Sequence, residues 1–213
     1  MAKTLSAEEI VGLLKEPPVK EDTYWYDPER RIYRESYIRA LIAALRMASA
    51  QEIRLGARLT LIRLLGERNA ISALPLLVRY IDDPSPNIRG GVADAILHVA
   101  WGHYDSHPER IAAIGDPSLG EVLLTRFIAG GAYAQIRSTL ALVFAALRYR
   151  PAIPALIKAL SDSDEVLRRC AADALADLDA KEAIQPLSDA IARETADYVR
   201  EKMEKSRSRI IEE

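Results

Sequence analysis

All three histidines of the chain, His98, His103 and His107, fall within ten residues, and Asp105 and Glu109 add carboxylates. Imidazole and carboxylate are zinc-type ligands, and histidines four apart share one face of a helix. Gly102 and Pro108 make a continuous helix doubtful in sequence terms, and no His-Glu pair completes a ligand set. No metal is therefore expected. An organic ligand or partner contact through Trp101, His103, Tyr104, Asp105 and His107 and a plain surface loop both stay open. Long insertions in a regular scaffold often carry function.

A second constellation lies near the N-terminus. Residues 24–37 hold four of the nine tyrosines and one of the two tryptophans, interleaved with arginine. Trp25, Tyr26, Arg30, Arg31 and Arg34 suit stacking on a flat ligand, on bases or on a partner's hot spot. The competing reading is a helix that packs Tyr33 and Tyr37 onto the segment that follows. Serine and cysteine nucleophiles lack supporting motifs: there is no G-x-S-x-G, no G-x-x-x-x-G-K-[ST] and no CxxC. The single cysteine, Cys170, sits in a helical run and reads as a small buried hydrophobe. Catalytic residues are not identifiable, and the balance leans away from an enzyme.

The elements that must position these residues repeat. A pair made of Ile, Leu or Val followed by Arg recurs at Ile53-Arg54, Ile88-Arg89, Ile136-Arg137, Leu167-Arg168 and Val199-Arg200. The last steps give a unit of about 31 residues, a period that means stacked supersecondary units. Pro75, Pro154 and Pro186 precede Arg89, Arg168 and Arg200 at one fixed distance. Proline is cheap in a first helical turn, where its missing N–H would be unpaired anyway. Asp and Ser between the helices can cap the second one. Each unit thus reads as helix, turn, helix, polar turn. Helices are expected over about 6–15 (with a Ser6/Glu9 capping box), 28–48, 50–66, 70–82, 86–101, 118–129, 132–149, 152–161, 164–178, 181–193 and 195–211. Gly90-Gly91 is expected to permit close helix contact and Gly130-Gly131 to make a turn. The repeated arginines either bind anions in a row or pair with the Asp of a neighbouring turn and with helix-end carbonyls.

The segment IPALIKALSDSDEVLRRCAADALADL resembles a HEAT-like repeat of the kind found in phycobilisome (bilin) lyases, and NAISALPLLVRYIDDPSPNIRGGVADAIL resembles the same pattern more loosely. The resemblance covers about 151–200 well and 50–100 and 132–150 fairly; it is absent over 1–48. It implies an all-α chain, a short α-solenoid (superhelix) of about five HEAT-like helix pairs. The expected organisation is an N-terminal aromatic/Arg segment over 1–48 and a solenoid over 49–213, with an insertion at about 101–117 and a polar C-terminal capping helix. The function implied is a scaffold that binds protein. The alternatives are a bilin lyase-like or chaperone-like handler of a tetrapyrrole, and a helical-repeat protein that binds nucleic acid.

Bulk composition limits these choices. The 213 residues are 49 % hydrophobic and only 6 % aromatic, with net charge −2, which suits helix on helix and gives no global pull towards nucleic acid. Charge is uneven: 24–89 carries 11 Arg against 7 acids, whereas 158–213 carries 10 basic and 14 acidic residues. A protein partner is expected, or an anionic small molecule or chromophore; no other cofactor is implied. With no apolar run of about 18 residues and one thiol, the chain is expected to be cytoplasmic and off the membrane.

Overall fold

Strong helix formers and proline at first-turn positions leave the repeating segments little alternative to helix pairs. The computed structural model describes residues 6–10, 35–47, 61–66, 70–101 and 117–212, and no strand occurs among them. The fold is all-α, as the period predicts. Its helices are α1 (Glu35–Met47), α2 (Leu74–Arg79), α3 (Pro86–Trp101), α4 (Pro117–Ala129), α5 (Arg137–Ala146), α6 (Ile153–Ala159), α7 (Glu165–Asp177), α8 (Ile184–Arg193) and α9 (Asp197–Glu212). Residues 7–10 and 61–66 are also helical. The expected capping box is present: Ser6 N donates to Glu9 Oε2 at 2.7 Å, and Glu9 N donates to Ser6 Oγ at 3.2 Å.

The chain divides into compact units 1–99 and 100–213. In the first, Leu41, Leu45, Leu61, Ile62, Leu65, Leu77, Ile81, Ile88 and Ile96 form the core. The Tyr80 hydroxyl donates to Leu45 O at 2.9 Å, tying the end of α2 to α1. A Cβ on Gly66 would stand 2.8 Å from Ala95 Cα, so the backbones meet there. Gly90 does not do what its sequence context suggests: a Cβ there would meet nothing within 4 Å. The reason is that close approach needs small residues on the inward face, and Gly90 is only partly buried.

In the second unit, the second helices pack side by side: α7 lies between α5 and α9, while α6 packs on α7 and α8 on α9. Alanines 171, 172, 174 and 176 are buried in α7, which lets its neighbours approach closely. Short 3-10 turns, Arg150–Ala152 and Lys181–Ala183, lead into α6 and α8. Each follows a left-handed residue, Arg148 (φ 52°) or Asp179 (φ 47°), that reverses the chain after a second helix. Gly130 (φ 59°) and Gly131 (φ 53°) make the expected turn, in a conformation L-residues rarely adopt. Phe127 meets Phe144 edge-on at 5.5 Å between ring centres. Cys170 is buried, and burial pushes its thiol pKa up, as befits a packing residue.

Candidate partner-binding face

The repeated arginines come first, since they could have formed an anion-binding row. Arg89 Nη1 donates to the carbonyls of Asp83 and Pro84 at 2.8 and 3.0 Å. Arg168 Nη1 donates to Asp162 O and Ser163 O at 2.9 and 3.1 Å. Arg200 Nη1 donates to Glu194 O at 3.1 Å. In each case the arginine reaches back to the residue six positions earlier, stitching the turn to the helix it opens.

In these three units the residue six positions earlier is acidic and works locally too. Its carboxylate accepts the N–H two residues on: Ser85 N to Asp83 (2.8 Å), Asp164 N to Asp162 (3.1 Å) and Ala196 N to Glu194 (3.0 Å). Asp162 and Glu194 also receive the arginine of the preceding unit. Arg137 Nη1 bonds Asp162 Oδ2 at 2.6 Å. Arg168 clamps Glu194 through Nε–Oε2 (2.6 Å) and Nη2–Oε1 (2.8 Å). The Arg168 hydrogen bonds outweigh burial and hold Glu194 at a pKa of about 2. Burial alone would raise Asp162, but the Asp164 N–H and Arg137 bring it below the usual carboxylate range. Arg137 lacks an acid six residues before it, where Gly131 stands; its Nε instead takes Phe127 O at 3.0 Å. The described arginines of the row thus serve the fold: Arg89, Arg168 and Arg200 hold their own turns, and Arg137 and Arg168 bridge to the next unit. Arg54 lies outside the described residues.

Beside this ladder the ends of α6 and α8 leave a cavity of about 420 Å³, lined by Leu160, Ser161, Asp162, Arg168, Arg193 and Glu194 among others. Its carboxylates are the ones already held by Arg137 and Arg168. Among its lining residues the cavity contains no unclaimed acid.

A different surface is left uncovered. Val166 is 47 % exposed and Tyr198 60 % exposed. Both stand two residues before the repeated arginine, at the start of α7 and of α9. Alongside them on α7 run Arg169, Asp173 and Asp177. Asp173 pairs with Arg169 at 3.2 Å and accepts from Ser206 Oγ at 3.2 Å; Asp177 pairs with Arg209 at 2.6 Å. On α9, Lys202 Nζ stands 5.6 Å over the Tyr198 ring.

Of the contact residues expected from sequence, Trp101 is described: it ends α3 and is 48 % exposed. Trp25, Tyr26, Arg30, Arg31, Arg34, His103, Tyr104, Asp105 and His107 lie outside the described residues. His98 is exposed on α3. Sequence reasoning missed Val166 and Tyr198, although their equivalent positions in the repeat were a usable signal.

The pattern for HEAT repeats matches residues 120–206. Among solved structures, an engineered protein from the Northeast Structural Genomics Consortium is similar in fold, with TM-score 0.58 and 18 % identity, the match covering 97 % of this chain and 89 % of that one. No curated protein matches the sequence. No single helix among the described residues is long and apolar enough to cross a membrane.

Proposed function

We propose that this chain is a binding module whose second helices hold a protein partner. One observation carries the reading: large apolar side chains, Val166 and Tyr198, are exposed at the same position of successive units, where packing does not require them. The arginine ladder supports it by removing the obvious chemical alternative, since its guanidinium groups serve the carbonyls of their own turns and, for Arg168, the carboxylate of the next. Repeat proteins use such extended faces for recognition. Trp101, exposed at the end of α3, is proposed as a further contact residue; Trp25, Tyr26, Arg30, Arg31, Arg34, His103, Tyr104, Asp105 and His107 are proposed as contact residues on their sequence chemistry alone.

The test is hydrogen exchange on the full chain with and without peptides selected from a random 16-residue display library. Slowed exchange confined to the starts of α7 and α9 supports the reading. Protection only along α6 and α8, or a library that yields no binder, contradicts it. The likeness of 151–200 to lyase repeats supports a second reading, a handler of a tetrapyrrole. Titration with a free bilin, read as a red-shifted and intensified absorbance band, tests that one.

A further inference from the structure

On α9 two stripes run in parallel. Val199, Met203, Ser206 and Ile210, spaced i, i+4, i+7, i+11, are buried. Tyr198, Lys202, Lys205 and Arg209 each stand one residue earlier, so they form a second stripe of about 16 Å beside the first. Its side of the helix is fixed by Arg209, which reaches Asp177 on α7; Ser206 of the buried stripe reaches Asp173 on the same helix. The second stripe therefore borders α7, next to Val166. Helix spacing puts the two exposed apolar residues roughly 10 Å apart.

Charge on α9 is segregated. The stripe bordering α7 holds three cations and no acid, while the four acids of the helix, Asp197, Glu201, Glu204 and Glu212, fall outside it. The acids of α7 are already engaged: Asp173 by Arg169 and Ser206, Asp177 by Arg209. Among the described residues no carboxylate forms an ion pair with Lys202 or Lys205. This cationic stripe lies within a segment, 158–213, that holds 14 acids against 10 bases. A long polyanion such as nucleic acid would meet those acids around the stripe; a short acidic segment would not.

We propose that the face shared by α7 and α9 docks an acidic segment of a partner protein, with carboxylates on Lys202 and Lys205 and apolar side chains on Val166 and Tyr198. The proposal rests on the binding-module reading and specifies the partner's chemistry. Tyrosine and arginine are frequent energetic anchors of interfaces, and charge pairing sets partner choice and association rate.

The experiment is selection of a random 16-residue peptide library on the full chain, followed by titration of the strongest synthetic peptide, its Asn/Gln counterpart, a 16-nucleotide single-stranded RNA and a 16-base-pair DNA. The selected pool is expected to be rich in Asp and Glu with Leu or aromatic residues. The acidic peptide is expected to bind at least tenfold tighter than its amide counterpart. Lys202→Glu/Lys205→Glu should abolish that preference, as should Lys202→Gln/Lys205→Gln, which keeps the side-chain length; Lys158→Glu, exposed on α6, should leave it intact. A neutral or basic pool that still binds the α7/α9 face, or affinity indifferent to both lysine variants, overturns this proposal alone. RNA or DNA binding that depends on the two lysines, in place of peptide binding, overturns it too. A library with no binder sinks the binding-module reading and this proposal together.

Discussion

Arg168 grips both carboxylate oxygens of Glu194, 2.6 and 2.8 Å away, and in the same geometry ties down the carbonyls of its own turn. Glu194 is almost wholly buried, with a side chain 2 % exposed. Removing one partner strands a charge. Arg168→Ala is expected to cost about 3–5 kcal/mol, as a broken buried pair does. Arg168→Met with Glu194→Leu should cost much less, because no charge is left behind. Chemical denaturation of the three proteins measures both; a double variant as unstable as the single one would show that the backbone bonds, not the pair, matter most.

Stability should fall in acid for a definable reason. Glu194 has a pKa of about 2 in the folded chain against an ordinary 4.5. A lowered carboxylate pKa contributes stability that is complete above 4.5 and is lost as pH falls from there through 2. Asp162, also lowered, adds in the same direction. Denaturant midpoints should drop between about pH 4.5 and 2. In Glu194→Gln this drop should be visibly shallower; an identical pH profile would count against the assignment.

Leu156 and Leu175 are fully buried. Each, changed to Ala, should cost about 2–5 kcal/mol by the same denaturation assay. Gly120→Ala should also destabilise, because a Cβ there would sit 2.4 Å from the Tyr149 ring, itself packed on Phe144. Overpacking of this kind costs about 1–3 kcal/mol. A change below about 0.5 kcal/mol at either leucine would mean that the site repacks.

Much of the architecture was legible because the repeat reports it several times over. The proline spacing and the apolar stripes placed helices over 86–101 and 164–178, and the structure has them at Pro86–Trp101 and Glu165–Asp177. The pairing of repeated arginines with neighbouring turns was foreseeable, since a residue recurring with the fold usually serves it. What sequence could not give is which partner each arginine takes. Gly131 stands where Arg137 would need an acid, and only the structure shows Phe127 O and Asp162 filling in. Val166 and Tyr198 were missed because an isolated apolar residue at a helix start reads as core until its exposure is known.

The N-terminal and insertion residues make a separate expectation. Trp25→Ala/Arg30→Ala and Trp101→Ala/His103→Ala should each weaken partner binding at least tenfold in titrations with the natural partner once captured and identified. Unchanged affinity in both would remove that surface from the account.

The most direct measurement is calorimetric titration of the strongest selected peptide into the full chain and into Val166→Asp/Tyr198→Ala, with thermal melting recorded on both. Both positions are exposed, so melting should be unchanged while affinity falls at least tenfold. Equal affinity with equal melting would contradict the claim that this face is where the chain binds.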